Sequence, residues 1–376
     1  MLRRPGVARS EAPEVLSEAV VLSLVLTSPA LRKRLLAACG RRRDAADQRR
    51  APGLAELTTL LRMAPAALAS RLPDLRARAA RLLDRGARAG VRAIGWADPA
   101  YPPQLAEIDD PPAALWVRGE SALLSAPAVA VVGSRTGSPY ACAVARQLAA
   151  GLAERGVVVV SGLARGVDAA AHRGALAGGG PTAAVLGSGV DVVYPPEHAS
   201  LAEEIGGRGV LASELGPGAP PLRYHFPRRN RILSGLSRAV VVVEATVRSG
   251  SLITARLAAE QGREVMAVPG NVLSGRSRGA HRLIRDGARI VETAADVLEE
   301  MGVAVPAVSA AAPAAEADPV LARMEPGDPC DVDHLAQQSG LALPALLTHL
   351  TELELRGRVA RIGTGRFVRL PSPVVT

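Results

Sequence analysis

The chain has 376 residues, 48% apolar and 22% charged, with mean hydropathy +0.16, which suffices to bury cores in two or three domains. Its longest apolar runs, such as 239–243, are strand-sized and far below the ~20 residues of a membrane helix; the basic N-terminus (Arg3, Arg4) leads into no signal-peptide stretch, and Cys39, Cys142 and Cys330 lie far apart without a CxxC, against a disulfide frame or zinc site and for a reducing cytoplasm. The net charge of +9 is unevenly laid: residues 1–95 carry +11, residues 96–300 none and residues 301–376 carry −2, so a polyanion site in the middle has to be a local concentration of arginine.

From about Val15 to Ala89 the apolar spacing predicts several short helices, with Leu57, Leu60 and Leu61, then Leu72, Leu75, Leu82 and Leu83 as core candidates and residues 41–51 as a polar loop. Residues 93–120 read as a proline-rich connector holding Trp96, Tyr101 and Trp116. From Ala128 the pattern becomes strand, glycine loop, helix, repeated: strands at 128–132, 157–160, 182–186, 210–213, 239–243, 264–268 and 289–291, with helices between them. Such alternation predicts an α/β, doubly wound, mostly parallel sheet covered on both faces. Ligands of such sheets bind where strands end and helices begin. Residues 303–318 are an Ala/Pro linker. Residues 331–338 and 343–355 predict two helices, and 358–369 a hairpin, together a winged helix. Its second helix has no Lys or Arg and carries Glu352 and Glu354; a protein-contact or structural role suits it better than the major groove.

The densest feature is Arg223-Tyr-His-Phe-Pro-Arg-Arg-Asn-Arg231, four arginines without an acid, enclosing Phe226, one of two phenylalanines in the chain. A charge run is commonly a solvated turn, but cations beside a flat ring are also what a single-stranded nucleic-acid site requires. Glycine turns at other strand ends, Gly133-Ser134-Arg135, Ser161-Gly162, Gly187-Ser188-Gly189 and Ser249-Gly250, let backbone N–H groups approach phosphate. Neither a GxGxxG fingerprint nor a P-loop is present, since Arg135 stands at the second glycine position and Lys33 is the only lysine. Ser161, Asp168 and His172 lack a nucleophile elbow. Asp168 and His172 share a helix face without a third metal ligand, and capping by Asp168 is the simpler reading. Glu214 and Glu244, at strand ends, read as acceptors holding the arginines of 228–231.

The motifs YPPQL and DPPAALWVRG (101–119), VVGSR (131–135), SGLARGVDAAAH (161–172), LGSGVDVVYPPEH (186–198), SELGPG (213–218), FPRRNRILSGLS (226–237), EATVRSGSLITA (244–255) and VPGN (268–271), in this order, resemble those of the DprA/Smf family, the DNA-processing proteins of bacterial natural transformation. The resemblance implies an extended Rossmann core at 93–302, a helical domain (SAM or helix-hairpin-helix-like) at 1–92, the linker at 303–318 and a winged helix at 319–376. It implies a cytoplasmic homodimer through the Rossmann core that binds and protects single-stranded DNA and helps load a RecA-type recombinase, without enzymatic activity, cofactor, metal or membrane association. It further implies a phosphate-binding turn at Gly133, Ser134 and Arg135, a basic residue at Arg223 where lysine is common, a pocket aromatic at Phe226, and a basic helix start at Arg228, Arg229, Asn230 and Arg231. Ser161, Gly162, Arg165, Gly187, Ser188, Gly189, Ser249 and Gly250 complete the expected site. Residues 279–283 depart from the family pattern, with Ala280 and His281 where other residues are usual. The alternative is a nucleotide-hydrolysing enzyme on a related core, similar to phosphoribohydrolases, against which stands Pro269-Gly270-Asn271-Val272 in place of a PGGxGTxxE signature.

Overall fold

The computed structural model describes residues 13–25, 64–302, 318–325 and 327–370; the polar loop expected at 41–51 and nearly all of the Ala/Pro linker lie outside them. In chain order the strands of the main sheet are β1 (Arg92–Gly95), β2 (Ala114–Gly119), β3 (Ala128–Val132), β4 (Val158–Ser161), β5 (Thr182–Val185), β6 (Val210–Ser213), β7 (Ala239–Val242), β8 (Glu264–Ala267) and β9 (Arg289–Ile290). The helices are α1 (Pro13–Val25), α2 (Pro65–Arg88), α3 (Pro103–Ala106), α4 (Pro139–Ala153), α5 (Val167–Ala177), α6 (Ala199–Arg208), α7 (His225–Gly235), α8 (Ser251–Glu260), α9 (Arg278–Arg285) and α10 (Ala294–Glu300).

The sheet runs β1-β2-β6-β5-β4-β3-β7-β8-β9. From β6 to β9 all neighbours are parallel, while β2 is antiparallel to β6 and β1 to β2. The segment 93–120 is therefore not only a connector: its ends form edge strand β1 and its neighbour β2, with Trp116 opposite Ser213. Proline there starts the short helix α3 rather than excluding helix, because its missing N–H is not needed in a first turn.

Every residue of β3 to β7 is buried, which is why these strands read as continuous Val/Ala runs instead of alternating ones. On one face Ala130, Val132, Val160, Val185, Val240 and Val242 meet Ile232, Leu233 and Leu236 of the α7 segment and Ala255 and Ala258 of α8. On the other, Val129, Val131, Val159 and Val241 meet Val144, Leu148 and Leu152 of α4, Ala171 of α5 and Val297 of α10. The chain lays β3, β4, β5 and β6 outward in one direction, then returns to place β7 on the far side of β3. That reversal opens a crevice at the carboxyl ends of the strands.

The C-terminal unit holds β10 (Pro329–Asp331), α11 (Val332–Ser339), α12 (Leu343–Leu355), β11 (Val359–Arg361) and β12 (Arg366–Arg369). The hairpin gains a third strand, β10, which pairs with β12. Its core is Leu335, Leu346, Leu350, Leu353 and Phe367.

Candidate nucleic-acid interface

Phe367 is 1% exposed in the C-terminal core; Phe226, the chain's other phenylalanine, is half-buried at the start of α7. Its position follows from the loop before it. β6 ends at Ser213, whose hydroxyl donates to the Ser188 carbonyl at 2.7 Å and accepts the Leu215 N–H at 3.0 Å. The chain then crosses the carboxyl end of β5 and enters α7, which is anchored by Ile232, Leu233 and Leu236. This delivers the Phe226 ring onto the Gly187 backbone, where a Cβ would stand only 2.8 Å from the ring. The missing side chain at Gly187 is what lets the ring sit this close.

Two groups flank that ring. The Arg135 guanidinium, from the turn after β3, lies 5.3 Å from the ring centre, within cation–π range. The Tyr194 ring, from the loop after β5, lies 5.6 Å away, tilted by 48°, and is 42% exposed. Arg135 and Arg223 are exposed and make no ion pair among the described residues. Tyr224 is 59% exposed beside them.

The four arginines of 223–231 divide sharply. Arg229 is buried: its Nη1 donates to the Gly162 carbonyl at 2.9 Å and to the Val185 carbonyl. Burial pulls its pKa down to about 10, with Asp168 opposing the shift. Arg231 is buried too, with Nε 3.0 Å from Asp110 Oδ2 and Nη2 2.6 Å from Glu214 Oε1. Burial pulls that guanidinium down, but Glu214 and Asp110 more than offset it and raise it overall. These two side chains face inward, whereas the sequence pattern placed all four on phosphates; helix geometry turns Arg229 to the sheet, and two acids from other segments draw in Arg231. Arg228 is half-buried and 3.9 Å from Glu214. Asn230 Nδ2 donates to the Gly250 carbonyl at 3.4 Å, and Ser249 and Ser251 hydroxyls meet at 2.7 Å, so α7 abuts the start of α8.

The remaining strand-end residues support rather than face the crevice. Ser161 Oγ donates to the Val131 carbonyl at 2.7 Å. The Asp168 carboxylate accepts the N–H groups of Gly162 and Ala164 at 3.2 and 3.4 Å, and burial pushes its pKa up. It braces the loop before α5 instead of capping the helix, because its place in the first turn points it back toward that loop. His172 turns away from Asp168, its Nδ1 2.7 Å from the Thr182 hydroxyl, and burial lowers its pKa to about 3. The two therefore form neither a metal pair nor a triad with Ser161; among the described residues no group of three or more His, Cys, Asp or Glu could hold a metal. Ser188 Oγ donates to the Val192 carbonyl at 2.6 Å and the Gly189 N–H to the Ala219 carbonyl at 2.9 Å. Arg165 is exposed but paired with Glu197. Glu214 holds Arg231 and neighbours Arg228, as the sequence implies, whereas Glu244 accepts the Ser138 N–H and hydroxyl at 3.2 and 2.7 Å. It ties β7 to the start of α4 across the switch point, with Gly133 and Ser134 half-buried in the intervening turn.

Residues 92–302, from β1 through α10, match the model of the family DNA recombination-mediator protein A. The chain belongs to that family. Residues 304–363 match the DprA winged helix domain. DNA processing protein DprA of Streptococcus pneumoniae is 50% identical over 203 residues, covering 54% of this chain and 72% of the relative. Protein Smf of Escherichia coli is 44% identical over 283 residues, 72% of this chain and 75% of the relative. The X-ray structure of S. pneumoniae DprA superposes with TM-score 0.66 at 38% identity, over 75% of this chain and 97% of that one. That of Helicobacter pylori DNA processing protein A, a protein described by its single-stranded DNA binding mode, gives TM-score 0.51 at 29% identity, over 56% and 95%. Within this family's core, Tyr194 is the contributor that the sequence alone did not mark, since only folding brings the loop after β5 against α7.

Proposed function

We propose that this chain is a cytoplasmic, non-enzymatic recombination mediator. It binds single-stranded DNA at the Phe226 crevice, protects it, and helps load a RecA-type recombinase during natural transformation, acting as a homodimer through the α/β core. One observation carries the site: a half-exposed ring, Phe226, flanked by a second exposed ring, Tyr194, and by Arg135, with Arg223 open beside them, all at the carboxyl ends of parallel strands. A base stacks on any aromatic face whatever its identity, and unpaired arginines attract the phosphates on either side. The start of α7 adds its partial positive charge, with no acidic residue in its first turn. The H. pylori relative's single-strand binding mode supports the same reading.

The test is an electrophoretic shift of labelled oligo-dT and of a matched duplex by the full chain over a salt series. Preferred binding of the single strand, weakening steeply with salt, is the expected result; equal affinity for both, or none, overturns it. Recombinase loading is tested by strand-exchange assays on DNA pre-coated with single-strand-binding protein, and the homodimer by sedimentation.

A further inference from the structure

The long helix α2 carries six arginines, and they divide by face and by ion pairing. Arg71, Arg78, Arg81 and Arg85 fall within roughly 80° of one another at 100° per residue. Arg76, on another face, is paired with Glu18, and Arg88, at the edge of the stripe next to Arg81, is paired with Asp84. On the stripe, Arg71, Arg78 and Arg81 are exposed and make no ion pair among the described residues. Asp74, the stripe's one acid, pairs with none of them.

The fourth member fixes where the stripe points. Arg85 Nε and Nη2 donate to Asp191 Oδ2 at 3.1 and 3.0 Å, while Asp191 Oδ1 accepts the Gly218 N–H at 2.7 Å. Asp191 lies in the loop that supplies Tyr194, and Gly218 in the loop that leads to Arg223 and Phe226. Beside the stripe, Leu82 packs in the cluster that contains Leu186 and Val190 of that same Tyr194 loop. The helix therefore leaves the rim of the crevice with its unneutralised arginines on the rim side, and from Arg85 to Arg71 it extends about 21 Å.

We infer that α2 is a second phosphate-contacting segment, over which a single strand held at Phe226 continues, its phosphates meeting Arg81, Arg78 and Arg71 in turn. Arg85 serves as the fastening to the core. This rests on the proposed single-strand site and extends it: the +11 charge of the N-terminal region becomes part of the binding track rather than a solvated face.

Fluorescence anisotropy of the full chain with a short oligo-dT of about four nucleotides, a long one of about twenty, and a duplex separates the possibilities. The triple variant R71A/R78A/R81A is expected to bind the long oligonucleotide with a salt slope shallower by about 2, at roughly 0.7 per single-strand phosphate contact, and the short one unchanged. The triple lysine variant is expected to restore the slope, which a folding defect would not do. An unchanged slope on the long single strand, or a change confined to the duplex, overturns the inference while leaving the Phe226 site standing. Loss of all single-strand binding by wild-type protein overturns both.

Discussion

The Arg135 guanidinium sits 5.3 Å from the centre of the Phe226 ring, although the two residues lie 91 positions apart with strands β4, β5 and β6 between them. The pair combines a charge for phosphate with a surface for a base, and the two contributions separate experimentally. Phe226→Ala is expected to weaken oligo-dT binding by about 1–3 kcal/mol, the range for one stacked base, without altering the salt dependence. Arg135→Ala is expected to flatten the salt slope by about 0.7. Tyr194→Ala should fall between wild type and Phe226→Ala in affinity. Titrations at three salt concentrations check all three; a double variant Phe226→Ala/Arg135→Ala that binds like wild type would sink the site.

Gly187 gives an independent handle on the same ring. Its Cβ would lie 2.8 Å from Phe226 and must push it away. Because the ring is half-buried it has room to move, so Gly187→Ala is expected to cost little more than about 1 kcal/mol in thermal unfolding. Its affinity for oligo-dT should nevertheless drop toward that of Phe226→Ala. A variant that melts normally and binds normally would show that the ring's seat on Gly187 is immaterial.

Arg231 and Arg223 look alike in sequence and should behave oppositely. Arg231→Met removes the buried cation that Glu214 and Asp110 both hold within 3.0 Å; breaking a buried pair in this way is expected to destabilise by about 3–5 kcal/mol. Arg223→Met removes an exposed, unpaired charge and should change stability by no more than about 0.5 kcal/mol while weakening DNA binding. Urea denaturation of the two variants side by side tests this; equal destabilisation would contradict the division.

That contrast also marks how far the sequence is legible. The parallel core and α12 at 343–355 follow from periodicity and glycine placement, whereas the aromatic at 226 is marked by its arginine neighbours and by the family resemblance. The inward turn of Arg229 was readable in principle: positions 225, 229, 232 and 236 are all buried on one face of the α7 segment, the i, i+4, i+7, i+11 pattern of a sheet-packed helix, but arginine's charge masks the pattern. The burial of Arg231 was not readable, because its two acids come from residues 110 and 214. Strands β1 and β2 are short and separated by proline, so their pairing only emerges once β6 offers an edge. The third strand of the winged helix, β10, spans only three residues beginning at Pro329, too few for its alternation to be read.

A buried titratable group behind the site sets a pH limit on its scaffold. His172 is fully buried and, through burial first and Arg229 second, has its pKa lowered to about 3, against about 6.5 in an unfolded chain. Between those values the unfolded state holds more protons at this position, so stability falls as the pH falls, by up to about 1.4 kcal/mol per pH unit; above about pH 6.5 the contribution is complete. Asp168 works in the opposite sense, since its raised pKa lets the folded form take up its proton first. The difference between wild type and His172→Asn removes that opposing contribution. The variant loses the neutral imidazole's bond to Thr182 and is expected to be less stable at pH 7, with the gap narrowing as the pH is lowered to 4. Chemical denaturation of both proteins at intervals between pH 7 and pH 4 measures it; parallel stability curves would mean that His172 takes up its proton as readily in the fold as out of it.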